Sequence, residues 1–296
     1  MLKQRVLTAL VLLVIFLPAL FCPSNVPFAM VLLVFACVGA WEWGRLNGCS
    51  ARPSIACGAL IAAMCALSWA LGLYARSLPA LWLCAGAAWL LGGAALLRAG
   101  VAGWPSIPKV VRLAGGLLVL WLVWLAGVQA RTIGNDFLLS VLVLVWITDI
   151  AAYFAGRAFG LRFTRRKLAP TISPGKTWEG VWGGMVGALL LAAGWAIVEG
   201  RLSAARAVDA APVLAHSLYS VLLMRGVWLL VLGVLFLAAM SVVGDLVESM
   251  VKRSAGVKDS STLLPGHGGV LDRIDAMLPA LPLAMMLVSC FTNAVR

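Results

Sequence analysis

The sequence predicts an all-α integral membrane protein, a polytopic helical bundle of about nine transmembrane helices. Of its 296 residues, 63% are hydrophobic and 11% are charged, and the mean hydropathy is +1.02. Soluble globular proteins are about 45–50% apolar and about 25% charged, so a water-soluble fold is excluded. A spanning helix needs about 20 mostly apolar residues, and such runs recur along the whole chain. The predicted spans are 6–21, 26–43, 54–73, 78–97, 113–130, 137–156, 180–198, 226–251 and 276–292.

The distribution of Lys and Arg predicts how these spans are oriented. With nine spans, 17 of the 23 basic residues lie on the side of the amino terminus and six on the other side. Cytoplasmic loops carry the excess of Lys and Arg. We therefore expect a cytoplasmic amino terminus and an outside carboxyl terminus, in the inner (plasma) membrane of a bacterium. The stretch 201–225 holds an apolar run too short to span and is expected to be interfacial or re-entrant.

The net charge and the spacing of the cysteines limit which partners, disulfides and metal sites we expect. The net charge is +12, and the chain has no large polar domain. That favours anionic lipids or phosphates as partners, and we expect no nucleic-acid partner. The seven cysteines form no C-x-x-C pair, which favours packing roles over a disulfide framework or a zinc site. No linker or repeat divides the chain, so we expect one continuous membrane domain.

Acidic residues are scarce, and their placement predicts a functional site. Seven of the eleven lie in the segments 148–157, 171–180 and 244–275, all expected at the cytoplasmic face. Carboxylates within or near a span are costly and by default mark a site. The seven are Asp149, Glu179, Asp245, Glu248, Asp259, Asp272 and Asp275.

The end of the eighth predicted span carries a polar stripe. Asp245, Glu248, Ser249 and Lys252 follow i, i+3, i+4 and i+7 spacing, which places them on one helix face toward the bundle interior. At about 1.5 Å rise per residue, Asp245 lies about 10 Å deeper than Lys252, and Asp149 of the sixth span lies about 12 Å inside. There are two alternatives to a functional role. The acids could serve only to hold helices together, or Glu248 and Lys252 could form an ordinary ion pair.

The second segment predicts a helix start suited to phosphate. Ser173 followed by Pro174 is typical of a helix N-cap with proline at the first helical position. Backbone N–H groups at such a start, with Lys176 beside them, suit an anionic phosphate. A plain cap before the seventh span is the alternative.

The third segment, 258–275, combines glycines, acids and bases. Glycines let the backbone approach a ligand closely, aspartates three apart can face one site, and nearby cations add charge directed at phosphate. These residues are Gly266, Gly268 and Gly269, Asp272 and Asp275, and Lys258 and Arg273. His267 stands between the glycines and is interpreted as functional, whereas His216 is expected to be incidental.

Acids that alternate with bases favour a metal-bound polyphosphate. Acids alone would suggest a cation pathway, but carboxylates that hold Mg²⁺ beside Lys and Arg suit a triphosphate. The pattern therefore predicts phosphoryl or nucleotidyl transfer at the membrane surface.

These motifs resemble the phosphatidate cytidylyltransferase (CDP-diacylglycerol synthase) family. The resemblance covers residues 145–291 and is most specific between Ser249 and Asp275, in S-x-V-K-R, K-D-x-S and L-P-x-H-G-G-V-x-D-R-I-D. The S-P-x-K-T-W-E-G run from Ser173 and the D-x-x-A-Y run from Asp149 also resemble this family. Residues 1–130 match only in being hydrophobic, so we expect variable transmembrane helices there and a catalytic part in 131–296.

The resemblance implies that CTP and phosphatidic acid react with Mg²⁺, in two metal sites, to give CDP-diacylglycerol and pyrophosphate. It implies Asp245, Asp272 and Asp149 as metal ligands. The implied catalytic residues are Asp245, Asp272, Lys252, Arg273 and His267. The implied nucleotide- and phosphate-binding residues are Ser173, Lys176, Thr177, Ser249, Arg253, Lys258, Gly268 and Gly269. Membrane lipids are expected partners, and the sequence is compatible with a homodimer.

Two other functions fit parts of the pattern. A cation-coupled transporter could use Asp149 and Asp245 as an ion relay, and it would move substrate without CTP. A CTP-dependent kinase of polyprenols or phytol shares elements of the chemistry but would release CDP in place of pyrophosphate.

Overall fold

The computed structural model describes residues 2–206 and 217–292, which form a helical bundle with one small hairpin. The helices are α1 (Leu2–Phe21), α2 (Asn25–Leu46), α3 (Ala51–Ala70), α4 (Pro79–Ala87), α5 (Gly93–Gly103), α6 (Lys109–Ile133), α7 (Asn135–Phe159), α8 (Trp178–Arg206), α9 (Leu218–Leu223), α10 (Val227–Ser254), α11 (Leu271–Ile274) and α12 (Met277–Thr292). The strands are β1 (Lys167–Ala169) and β2 (Ser173–Thr177). The expected all-α class is confirmed.

Eight helical segments of the described chain are long and apolar enough to cross a membrane. Helices α4 and α5 form one of these, Pro79–Ser106, through a π-helical turn, and another runs over Leu271–Cys290. The predicted first span corresponds to α1, whose apolar part, Leu7–Phe21, is shorter. The prediction of about nine spans is therefore matched by eight long apolar helices and one shorter one.

One large apolar core connects the two parts of the chain. Buried residues of this cluster come from the early helices, such as Ile61 and Trp82, and from the late ones, such as Leu237 and Leu283. Many large apolar side chains are exposed on the outside, Val110 and Trp228 among them. An outer surface of this kind suits lipid, because acyl chains solvate apolar side chains that water would not.

Small residues allow α7 and α8 to pack closely. A Cβ placed on Gly184 of α8 would lie 2.8 Å from the Thr148 carbonyl oxygen, and one on Gly187 would lie 2.5 Å from the Ala151 Cβ. Glycines at a helix interface let backbones approach in the membrane, where van der Waals packing drives association. This contact fixes the carboxyl-terminal half of α7, which carries Asp149, against the first turns of α8.

The prediction of a helix N-cap at Ser173 is wrong. Residues 173–177 form β2, which pairs antiparallel with β1 in the register Lys167 to Thr177 and Ala169 to Ser173. The backbone of this segment is committed to the hairpin, so α8 begins only at Trp178. Thr177 provides the cap, since its Oγ1 accepts the Gly180 N–H at 3.2 Å.

The stretch predicted as interfacial or re-entrant, 201–225, has two described parts. Helix α8 continues to Arg206, and α9 packs into the bundle with Leu218 and Tyr219 fully buried. The Tyr219 hydroxyl donates to the Ser140 carbonyl oxygen at 2.7 Å. His216 lies outside the described residues.

We expect Gly184→Val to destabilise the fold by about 2 kcal/mol, because overpacking a close contact typically costs about 1–3 kcal/mol. The measurement is thermal or denaturant unfolding of the purified protein in detergent. Gly194→Val on the same helix is the matched control, since a Cβ at Gly194 meets nothing within 4 Å. Equal unfolding midpoints for the two variants would contradict the proposed packing of α7 on α8.

Candidate active site

A cavity of about 600 Å³ lies between α1, α2, α6, α7 and the α11–α12 region. Most of its wall is apolar. Its polar groups belong to Asp149, His267, Asp272, Arg273 and Asp275. The structure thus places Asp149 of α7 and residues of the segment 258–275 around one mostly apolar cavity.

Asp272 is held by four hydrogen bonds. Its Oδ1 accepts from the Lys252 ammonium group, and its Oδ2 accepts from the Gly269 N–H at 2.7 Å. The same Oδ2 accepts from the N–H and the hydroxyl of Ser260, both at 2.9 Å. Asp272 therefore fastens both ends of residues 258–270, which we call the glycine loop.

Lys252 is shared by two carboxylates. It binds Asp272 and forms an ion pair with Glu248 at 2.5 Å. The Glu248 side chain is only 2% exposed, so this pair is withdrawn from solvent. The predicted stripe on α10 thus faces the protein interior at these positions. The ion pair that sequence reasoning offered as an alternative role for Glu248 is formed, and it also reaches the glycine loop through Asp272.

A second ion pair joins β2 to α10. Lys176 Nζ lies 2.5 Å from Asp245 Oδ2, and each side chain is about a quarter exposed. The Ser249 hydroxyl donates to Asp245 Oδ1 at 3.3 Å. Asp149 is close enough to interact electrostatically with Asp245, Lys176 and Arg273. Two of the expected metal ligands, Asp149 and Asp245, therefore share one electrostatic environment.

Arg253 connects the hairpin to the residue that precedes the glycine loop. Its Nε donates to the Ile172 carbonyl oxygen at 3.3 Å, and its guanidinium also donates to the Val257 carbonyl oxygen at 3.4 Å. Lys258 is exposed at the start of the loop. Ser173 and Thr177 lie on β2 with Lys176, so the predicted phosphate-binding residues of the second segment sit beside α10 as a strand.

The glycine loop approaches carboxylates of the chain itself. Gly266 and Gly268 have φ angles of 76° and 82°, which favour glycine. A Cβ on Gly268 would lie 2.6 Å from Asp272 Oδ2, and one on Gly269 would lie 2.4 Å from Glu42 Oε1. The space that the sequence assigned to a ligand at Gly268 and Gly269 is filled by Asp272 and Glu42.

Glu42 is the residue that the sequence analysis missed. It is fully buried and binds the glycine loop from α2. A signal was present, because Glu42 lies inside the predicted span 26–43 and an acid within a span marks a site. It stands alone in an apolar segment, outside the three acidic clusters.

His267 presents a buried nitrogen without a partner. Its Nδ1 has no hydrogen-bond partner among the described residues, and the residue lines the cavity. Buried polar atoms are normally hydrogen-bonded, so an orphaned one at a cavity indicates a place where a ligand can bind.

The donor set can be compared with what metals require. Within residues 2–206 and 217–292, no group of three or more His, Cys, Asp or Glu side chains is arranged to hold a metal ion. Mg²⁺ usually needs only one or two protein carboxylates, together with waters and substrate phosphates. Asp149 and Asp245 offer carboxylate oxygens, which suit Mg²⁺ better than metals that prefer thiolate or imidazole.

Comparisons with known proteins show the family of this chain. Residues 3–291 match the model of a family described as the cytidylyltransferase family. A Pseudomonas aeruginosa protein named phosphatidate cytidylyltransferase is 39% identical over 289 residues, 95% of each chain. A Haemophilus influenzae protein of the same name is 36% identical over 306 aligned positions, 95% of this chain and 96% of the relative. The resemblance predicted from the sequence motifs is confirmed, and the transporter alternative is set aside.

We expect Lys252→Met to lower the stability of the protein markedly. The change leaves the carboxylates of Glu248 and Asp272 without their shared cation, and breaking a buried pair typically costs about 3–5 kcal/mol. The measurement is the unfolding midpoint in detergent, with Lys258→Met, an exposed cation, as the control. A midpoint for Lys252→Met equal to that of the control would contradict this account of the ion pairs.

Proposed function

We propose that this chain, which belongs to the cytidylyltransferase family and is a nucleotidyltransferase, makes CDP-diacylglycerol and pyrophosphate from CTP and phosphatidic acid. The observation that carries the proposal is the cavity, whose wall is mostly apolar and whose polar groups include both signs of charge. Phosphatidic acid combines the same two features, because it joins apolar acyl chains to a charged phosphate.

The cavity supports a lipid substrate through its size as well as its lining. Pockets of about 300–1,000 Å³ are typical for small molecules, and a mostly apolar wall suits acyl chains. Helices α1, α2, α6 and α7 supply that wall. Arg273 and His267 provide a cation and an unpartnered ring nitrogen for a phosphate.

The proposed reaction needs little covalent chemistry from the protein. A phosphate oxygen of phosphatidic acid attacks the α-phosphorus of CTP and forms the new P–O bond. The bond between the α-phosphorus and the bridging oxygen breaks, and pyrophosphate leaves with the electron pair. The attacking phosphate is already ionised, so no strong base is required. Catalysis then rests on positioning and on neutralising charge.

The basic residues around the site are proposed to take the phosphate charge. We assign the triphosphate and the lipid phosphate to Lys252, Arg253, Lys258 and Arg273. We assign the nucleotide to Ser173, Lys176, Thr177 and Ser249, and not to Gly268 and Gly269, whose neighbouring space is filled by Asp272 and Glu42. His267 would orient a phosphate through its Nδ1. Lys252 already binds Glu248 and Asp272, so its contribution includes holding the glycine loop.

Mg²⁺ is proposed at the carboxylates of Asp245, Asp149 and Asp272, in two sites. When bound, it would neutralise part of the triphosphate charge. Asp245 is partly exposed and pairs with Lys176. Asp272 has its Oδ1 bound by Lys252, so its use as a ligand would require Lys252 to turn toward a phosphate.

We place the site at the cytoplasmic face of the inner membrane. CTP comes from water and phosphatidic acid from the bilayer, so the site must be accessible to both near the depth of the headgroups. Carboxylates about 10 Å inside the membrane edge meet this requirement. The excess of Lys and Arg on the side of the amino terminus supports this orientation.

Product analysis of the purified protein tests the reaction. With phosphatidic acid, labelled CTP and Mg²⁺ in detergent, we expect a lipid-soluble cytidine product and one pyrophosphate for each lipid product. Release of CDP with a phosphorylated lipid would instead identify a CTP-dependent lipid kinase. Absence of both products would reject the proposed function.

We expect Asp245→Asn and Asp272→Asn each to lower kcat by more than about 100-fold, because metal-assisted charge stabilisation supplies several kcal/mol. Membrane insertion, measured by fractionation, should stay unchanged. The control is Arg201→Ala, an exposed residue near the far end of α8, which should keep near wild-type kcat. Wild-type rates in either Asp variant would remove that residue from the metal assignment, and a large loss in the control would contradict the assigned membrane sides.

A further inference from the structure

Glu42 is a buried carboxylate in the part of the chain expected to be variable. It lies on α2, and none of its surface is exposed. Burying a charge is costly unless it is paired or hydrogen-bonded. Within the described part of the chain, Glu42 forms no ion pair, so hydrogen bonds must compensate for its burial.

The hydrogen bonds of Glu42 come from both sides of the glycine loop. Oε1 accepts from the Ser261 hydroxyl at 2.6 Å and from the Val270 N–H at 2.9 Å. Oε2 accepts from the Ser260 hydroxyl at 3.1 Å and from the Leu271 N–H at 2.8 Å. Each oxygen thus receives one donor from the early part of the loop and one from its last residue or from the first residue of α11. The carboxylate therefore holds the two ends of the loop together.

Ser260 connects Glu42 to Asp272. The Ser260 hydroxyl lies 3.1 Å from Glu42 Oε2 and 2.9 Å from Asp272 Oδ2. A serine hydroxyl carries a single proton, so it donates to one carboxylate at a time. Glu42 and Asp272 therefore share the Ser260 hydroxyl, which links the two acids. Gly269 lies between the two acids, where a Cβ would come 2.4 Å from Glu42 Oε1.

The closed loop carries groups that face the cavity. His267 belongs to the loop, and Asp272 and Arg273 follow shortly after it. Since the Leu271 N–H is bound by Glu42, the start of α11 is fixed together with the loop. A loosened loop would change the placement of His267, Asp272 and Arg273 at once.

We infer that Glu42 is a positioning residue for the proposed CMP transfer, and this inference rests on that proposed function. Glu42 is absent from the cavity lining, and it acts through the glycine loop and Asp272. The amino-terminal helices thus contribute to the site through one side chain that orders the loop from behind, in addition to forming the cavity wall.

Glu42→Gln in the full-length protein tests this inference. Glutamine keeps the shape, but its amide nitrogen cannot accept the backbone N–H that one carboxylate oxygen accepts. A displacement of about 1 Å can cost about 100-fold in rate, so we expect kcat to fall about 100-fold. KM for CTP should change less than about threefold, because the loss falls on the transition state. Hydrogen–deuterium exchange of residues 258–271, measured without substrates, should become at least about tenfold faster.

Glu199→Gln is the matched control. Glu199 of α8 accepts from the Ser217 N–H at 3.2 Å, from the Ser217 hydroxyl at 2.5 Å and from the Ser220 hydroxyl at 3.1 Å. It is a half-buried glutamate that also fastens a chain segment through hydrogen bonds, far along α8 from the β2 end. We expect its kcat and the exchange of 258–271 to remain as in the wild type, even where the melting temperature falls.

Ser261→Ala provides a variant that leaves the buried carboxylate intact. It removes one of the four donors, so we expect about a fivefold loss of kcat, within the range of one hydrogen bond. Residues that share one interaction are not additive. The double variant Glu42→Gln with Ser261→Ala should therefore lose less than the product of the two single losses. If Glu42→Gln does not accumulate, Ser261→Ala and its exchange pattern decide the question.

The outcomes separate the two proposals. A wild-type protein that forms no CDP-lipid rejects the proposed function and the inference tied to it, whatever the exchange data show. An active wild type with normal kcat in both the Glu42→Gln and the Ser261→Ala proteins overturns the inference alone. Unchanged exchange of 258–271 in Glu42→Gln also overturns it. Equal losses of kcat in Glu42→Gln and Glu199→Gln would mean a general structural role and would overturn it as well.

Discussion

Carboxylates buried in a membrane bundle need cations or hydrogen-bond donors, and this requirement organises the polar end of the protein. Lys252 compensates Glu248 and Asp272, and Lys176 compensates Asp245. Backbone N–H groups and serine hydroxyls of the glycine loop stabilise the carboxylate of Glu42 on α2. These contacts hold the hairpin and the glycine loop in place. Both segments are short and bury too little apolar surface for packing alone to define their positions.

The helices could be predicted from the sequence because hydropathy summed over about 20 residues is a strong local signal. Each predicted span corresponds to a helical segment of the bundle. The hairpin could not be predicted in the same way. Ser173 and Pro174 are locally typical of a helix start, but the pairing of 173–177 with 167–169 depends on a partner strand and on the Lys176–Asp245 ion pair. Tertiary contacts determine the conformation of 173–177, because the local sequence pattern of this segment is ambiguous.

The site was partly predictable for a related reason. Acids within spans are costly, so Asp149 and Asp245 stood out against an apolar background. Glu42 has the same property, but its donors lie more than 200 residues away along the chain. Its neighbours Trp41 and Trp43 make the local segment look like an ordinary apolar helix end. Only the folded chain shows that it meets the glycine loop.

The charges of the site bear on how a nucleotide would enter it. The acids and the cations of the described site alternate closely, so most of the carboxylates already have a cationic neighbour before any triphosphate arrives. The acids are Asp149, Asp245, Glu248, Asp272 and Asp275, and the cations are Lys176, Lys252, Arg253, Lys258 and Arg273. A bare triphosphate would draw these cations away from the carboxylates that they compensate, whereas a triphosphate that carries Mg²⁺ would bring part of its own compensation. In the proposed reaction, Lys176 would turn from Asp245 to a phosphate once that carboxylate had another positive partner. The ion pairs would then keep the carboxylates compensated before the nucleotide binds, and exchange of partners would couple metal binding to phosphate binding.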